Sequence, residues 1–231
     1  MNTSGTGPPV VPRDEWLARR VELLAAEKAH QRERDALAAK RRELPWVRVE
    51  EEYTFDTADG PRSLRDLFDG RTQLIVAHFM FGPDWDAGCP SCSFWADSVS
   101  GTIPHLHHRD TGYVNVSNAA LDTLLAYRGR MGWDIPWVSA AGTSFQADFG
   151  TAGADTYNYV AQERPNPELP GISAFVRDDG PDGDVYHTYS AYARGLEPYN
   201  STYALLDMTA LGRQEADLEW SMAWLRRHDE Y

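Results

Sequence analysis

An α/β fold, with a central mixed sheet flanked by helices and a helical extension ahead of it, is predicted by three observations. The apolar run Leu74-Ile75-Val76-Ala77-His78-Phe79-Met80-Phe81 suits a buried strand, and a loop then leads into an amphipathic segment that opens at Cys89. Gly112 to Ser117 reads as a second strand and is followed by a helix to about Arg130, which makes a parallel unit with the first. Gly171 to Arg177 and Asp184 to Ser190 alternate around Asp178-Asp179-Gly180-Pro181-Asp182-Gly183, a hairpin signal.

Taken in order, residues 1–12 are rich in Gly and Pro and are expected to be unstructured. Asp14 to Glu43 is one long helix, with Asp14 and Glu15 in its first turn and Lys40, Arg41 and Arg42 in its last, as the macrodipole prefers. It ends at Leu44-Pro45, so 13–44 forms a helical extension and 45–231 the main domain. Trp16, Leu17, Val21 and Leu24 give this helix a thin apolar stripe, suited to a narrow seam on the domain or in a homodimer. A strand follows from Trp46 to Phe55, then a turn at Thr57-Ala58-Asp59-Gly60 and a short segment from Ser63 to Phe68. Ser117 or Asn118 is expected to cap the helix that reaches Arg130. Pro136 to Pro170 is broken by glycines and prolines, as substrate loops often are, and a final helix is expected from about Gln214 to Arg227.

The chain has 231 residues, 42% of them hydrophobic, with eight tryptophans and a net charge of −13. Such a composition implies one packed core, and the charge, without a long basic run, argues against nucleic acid and anionic membrane surfaces as partners. The Arg13–Glu43 segment carries nine Lys/Arg against seven Asp/Glu, so the acidity resides in the remainder. No signal peptide and no run of membrane-spanning length is visible, which predicts a cytoplasmic protein. In a reducing compartment a lone pair of cysteines serves chemistry or ligation better than it serves as a staple.

That pair is Cys89-Pro90-Ser91-Cys92. Two intervening residues at a helix start keep the sulfurs close enough to form a disulfide. Unsatisfied N–H groups and the positive end of the helix dipole favour a thiolate on the first. Cys89 is then the attacking thiol and Cys92 the resolving one, and Pro90 fits a helical position that needs no donor. Asp84 and Asp86 in the preceding loop would act against the thiolate if they lay close. The substrate would be a small-molecule or protein thiol or disulfide, with Trp85, Trp95 and Pro170 shaping the surrounding surface.

A different class of reading makes the cysteines metal ligands. With no further cysteine, copper or zinc would need imidazoles, and His78, His105, His108 and His187 are the candidates. His78 lies inside the apolar strand, where it is either a hydrogen-bonded core residue or a group beside the thiols. His105 and His108 share one face of a helical turn. The protein would then be a copper-dependent oxidase or tailoring enzyme. A noncatalytic binding module is the third reading.

A parallel unit containing the cysteine pair, followed by an antiparallel hairpin and a terminal helix, is the thioredoxin plan. In that plan a cis proline just before the first hairpin strand faces the sulfurs, and Pro170 holds that place.

His78-Phe79-Met80-Phe81-Gly82-Pro83 with Trp85, and Cys89-Pro90-Ser91-Cys92-Ser93-Phe94-Trp95-Ala96-Asp97, resemble the bacterial thioredoxin-like family known as domain of unknown function 899. The likeness extends to Leu44-Pro45-Trp46, Arg130-Met131-Gly132-Trp133, Pro136-Trp137, His187-Thr188-Tyr189-Ser190 and Leu206-Asp207, and spans roughly Asp14 to Leu225. It implies a thioredoxin-like fold and a dithiol-disulfide oxidoreductase with the cysteine pair at the active position. The leading reading is thiol-disulfide exchange or peroxide-type reduction at that pair, with no required cofactor. Two departures stand out. Asn118-Ala119-Ala120 replaces the family's Arg-Ala-Pro, and Gln146 stands where an asparagine is usual.

Overall fold

The computed structural model describes residues 7–165, 167–180 and 183–231, and the chain divides after Pro45 into two compact units. In the first, α1 (Arg13–Arg42) follows Pro12 and carries the acidic first turn and basic last turn that its charges predict. Side-chain pairs such as Arg19–Glu15 at 2.6 Å lace its surface, and none of its residues is buried. Residues 7–12 form no helix or strand; the rest of the expected unstructured start lies outside the described residues.

The second unit runs through β1 (Val47–Arg48), β2 (Thr54–Phe55), β3 (Arg62–Ser63), β4 (Gln73–His78), α2 (Pro90–Val99), α3 (Ile103–His108), β5 (Thr111–Ser117) and α4 (Leu121–Arg130). It continues through β6 (Trp137–Ser139), α5 (Phe145–Asp148), β7 (Thr156–Tyr157), β8 (Val160–Ala161), β9 (Gly171–Arg177), β10 (Val185–Tyr192) and α6 (Ser201–Leu206). Among the described residues the main sheet has the order β1-β10-β9-β4-β5-β6. Strands β4, β5 and β6 are parallel, whereas β9 runs antiparallel beside β4 and β10 antiparallel beside β9. This is a thioredoxin-like mixed α/β fold. The hairpin forms as expected, although Pro181 and Asp182 of its turn signal lie outside the described residues.

Strand periodicity divides the core. Leu74 and Val76 of β4, Val114 and Val116 of β5, Val138 of β6 and Phe175 of β9 face one cluster with Phe55, Phe68 and Phe145. Ile75 and Ala77, with Tyr113, Trp137 and Ile172, face the other, which contains Cys92 and Phe79. The cysteine helix therefore packs on one face of the sheet, and residues of the alternate parity in β4 point away from it.

Three expected elements take a different form. The strand expected over Trp46–Phe55 is two short strands in separate sheets, with the exposed carboxylates Glu50, Glu51 and Glu52 between them. Helix α4 starts after Ala120, its N-cap, and not at either predicted cap, whose side chains are turned to other partners. The Ser117 hydroxyl donates to the Phe79 carbonyl (2.7 Å), and the Asn118 amide donates to Glu168 (2.9 Å). The terminal helix over Gln214–Arg227 does not form; this stretch is a series of turns, with Gln214 and Met222 at positive φ. One Glu215 oxygen accepts bonds from the Met222 N–H (3.0 Å), the Trp224 indole (2.7 Å) and the Tyr203 hydroxyl (2.8 Å). That carboxylate organises the segment without a helical ladder. Leu225 still reaches a small core with Phe94 and Tyr203, while Trp220 stays exposed.

Candidate active site

Strand β4 ends at His78, and the chain returns after a loop to place Cys89 as the N-cap of α2, with the Cys89 N–H donating to the Met80 carbonyl at 3.1 Å. Pro90 occupies the first helical turn. Gly88 is required by close approach: a Cβ there would lie 2.7 Å from the Phe79 ring and 2.9 Å from the Tyr127 ring. Arg227, from the C-terminal segment, donates to the Gly88 carbonyl through Nε (3.0 Å) and Nη2 (2.8 Å), fixing the approach to Cys89. The helix start is secured further by Ser93, whose N–H and hydroxyl both donate to the Cys89 carbonyl at 3.0 and 2.9 Å.

Both thiols are free; Cys89 is half-buried and Cys92 buried. The Cys92 thiol donates toward the Cys89 sulfur, and together with the N–H groups of Cys92 and Ser91 and the Ser91 hydroxyl it outweighs burial, bringing the Cys89 thiol down to about 6. The same bond, followed by burial and the neighbouring thiolate, pushes Cys92 up, and the charge of Glu168 adds to this. The Met80 N–H donates to the Cys92 sulfur at 3.5 Å. One sulfur is thus poised as a thiolate and the other held as its hydrogen-bond donor. Asp84 and Asp86 are exposed and do not enter this balance.

A cavity of about 310 Å³ opens against both sulfurs. Trp95 and Pro170 line it, and the Trp95 indole is anchored on the Leu196 carbonyl at 2.9 Å. Trp85, expected to help shape this surface, lies outside the lining because its indole packs back against Gly82. Pro170 takes its expected place before β9, but the described residues contain no cis peptide bond, so the expectation of a cis Leu169–Pro170 bond is corrected. Its trans carbonyl accepts the Tyr157 hydroxyl at 2.9 Å, and the Leu169 N–H donates to Thr151 at 2.7 Å, so these bonds bring the segment to the sulfurs.

The histidines do not join the cysteines. His78 shares the parity of Leu74 and Val76, and its ring stacks on Phe145 and Phe149 in the opposite core. Its Nδ1–H donates to Gln146 Oε1 (2.6 Å), which leaves Nε2 to accept the Ser173 hydroxyl (2.8 Å). Burial brings its pKa down to about 4, so the ring is neutral. Gln146, one of the two departures noted in the sequence, is therefore the residue that holds this imidazole. His187 bonds Ser190 at 2.7 Å on the same side, and His105 and His108 are exposed on α3. Among the described residues no three His, Cys, Asp or Glu side chains converge in a way that could hold a metal ion, so the candidate ligand set is dispersed.

Two site residues carry no signal in the sequence. Glu168 is one acidic residue among 35, yet it is buried, its carboxyl is raised by that burial, and it bears on Cys92. Its donor is Asn118, where the family resemblance leads one to expect arginine. An arginine there would bring a full positive charge, whereas the amide supplies only a hydrogen bond. Asn115 lies in β5 opposite Ala77, on the cysteine face, and borders the cavity. It is 1% exposed, and its amide Nδ2 has no hydrogen-bond partner among the described residues. Leaving such a donor unpaired costs about 1–3 kcal/mol. Its position inside an almost wholly buried strand concealed it.

A family model described as a bacterial protein of unknown function, DUF899, matches residues 5–231. The chain belongs to the DUF899 family. Among curated proteins none matches. Among solved structures the chain is similar to peroxidoxin BcpB from Mycobacterium tuberculosis, at 16% identity over 69% of this chain and 95% of that one, with a TM-score of 0.45. It is similar to a PrxQ mutant of Xylella fastidiosa at 12% identity over 69% and 95% of the two chains, TM-score 0.45. It is also similar to the bacterioferritin comigratory protein of Xanthomonas campestris at 13% identity over 68% and 94%, TM-score 0.43. Among the described residues no helix is long and apolar enough to cross a membrane.

Proposed function

We propose that this DUF899 protein is a dithiol oxidoreductase in which Cys89 attacks an oxidised small molecule and Cys92 resolves the product. The observation that carries this reading is the asymmetric pair at the start of α2: a Cys89 sulfur stabilised as thiolate by the Cys92 thiol, two N–H groups and the Ser91 hydroxyl, beside a Cys92 thiol held protonated. The low-pKa sulfur is the nucleophile available at neutral pH.

The Cys89 thiolate displaces the leaving group of the oxidised substrate and becomes bonded to the transferred atom. Cys92 then gives up its proton and attacks the Cys89 sulfur. This closes the Cys89–Cys92 disulfide and expels the second half of the substrate in reduced form. Two electrons leave the protein, and an external dithiol returns them by opening the disulfide. A thiol count tests the cycle. The reduced protein is expected to show two titratable thiols, none after oxidant and two again after dithiothreitol. Two thiols that survive oxidant overturn the proposal.

A further inference from the structure

We infer that the cavity beside the thiols takes an organic hydroperoxide with an apolar body, and that the amide of Asn115 receives its peroxide oxygens. This rests on the dithiol reading and names its substrate class.

Three observations carry it. The cavity, about 310 Å³, has the size of a small-molecule site. Its wall is built from apolar groups such as Phe79, Trp95, Val99, Ile172 and Leu196, which reward each carbon buried and give nothing to a strongly hydrated molecule. Asn115 borders that wall, and its buried side-chain Nδ2 has no hydrogen-bond partner among the described residues. The sulfurs of an organic disulfide are weak acceptors and would leave it unpaired. A hydroperoxide oxygen accepts from it, and the peroxide O–H can donate in turn. An apolar molecule with one compact oxygen group next to the thiols meets all three conditions.

The chemistry balances. The Cys89 thiolate attacks the terminal peroxide oxygen; the O–O bond breaks, an S–O bond forms, and the sulfur loses two electrons. Cysteine sulfenic acid and an alkoxide result. The alkoxide takes the Cys92 thiol proton and leaves as alcohol. The Cys92 thiolate then attacks the sulfenic sulfur, closing the disulfide and expelling hydroxide. A solvent proton, equal to the one Cys89 released on ionising, converts that hydroxide to water. A dithiol reductant supplies two electrons and two protons to reopen the pair.

The test is stopped-flow oxidation of the reduced full chain, followed by thiol titration, with cumene hydroperoxide, hydrogen peroxide and oxidised glutathione as probes. Cumene hydroperoxide is expected to react at least tenfold faster than either of the others. Asn115→Leu should lower its rate about tenfold while iodoacetamide labelling of Cys89 keeps its wild-type pH profile. Val99→Trp, which fills the cavity from a partly buried position on α2, should lower the ratio of cumene to hydrogen peroxide rates. Hydrogen peroxide reacting as fast as cumene hydroperoxide overturns the substrate class and leaves the dithiol reading intact. So does oxidised glutathione as the fastest probe. Failure of all three to form the disulfide overturns both.

Discussion

Replacing Cys92 with alanine removes the foremost support of the Cys89 thiolate, and the structure gives the size of the effect. With its thiol at about 6, Cys89 is about nine-tenths ionised at pH 7, against about 3% for an ordinary cysteine near 8.5. A hydrogen bond to a charged group contributes roughly 1.5–3 kcal/mol, and about 1.4 kcal/mol equals one pKa unit. The Cys92→Ala thiol should therefore titrate roughly one to two units higher. At pH 6.5 its iodoacetamide labelling should slow between about threefold and twenty-fivefold. Cys92→Ser retains a hydroxyl donor and should fall between the two. The assay is labelling rate against pH, with the modified residue located by peptide mass. A wild-type inflection near 8.5, or superimposable profiles for wild type and Cys92→Ala, would refute the reasoning.

Other consequences follow from the surrounding residues. Glu168→Gln and Asn118→Arg each reduce the negative charge bearing on Cys92, so in a Cys89→Ser background both should move Cys92 labelling to lower pH; an upward move contradicts the assigned effect of Glu168. His78 is buried neutral with a pKa near 4, so between about pH 6.5 and 4 the unfolded chain binds a proton that the folded one refuses. Stability should thus fall by about 3 kcal/mol as pH drops through that window. Urea midpoints should show this slope in wild type and lose it in His78→Phe, and equal slopes count against it. Gly88→Ala drives a Cβ into the Phe79 and Tyr127 rings and should cost about 1–3 kcal/mol in denaturant unfolding, where an unchanged midpoint contradicts the packing.

Local pattern made the strand, cysteine pair and helix legible. The apolar run at Leu74 reads as a strand wherever the chain goes, and Pro90 after Cys89 marks a helix start on steric grounds alone. The hairpin around β9 and β10 was legible for the same reason. The terminal helix misled because Leu218, Trp224 and Leu225 have helical spacing, while the deciding interaction is Glu215 collecting donors from Tyr203 and Trp224. Parity alone could not assign a face to His78 until Val76 was placed opposite Ser173 in the register. Glu168 and Asn115 matter through partners distant in sequence, or through the lack of one, and neither condition is written in neighbouring residues.

The division of labour between the two sulfurs is the centre of the account, and intact mass spectrometry of the two serine variants tests it most directly. After brief exposure to cumene hydroperoxide or oxidised glutathione, Cys92→Ser is expected to carry one added oxygen or one mixed-disulfide adduct at Cys89. Cys89→Ser is expected to remain unmodified. Adducts forming equally on both variants, or on Cys92 in preference to Cys89, would contradict the assignment of attacking and resolving thiols.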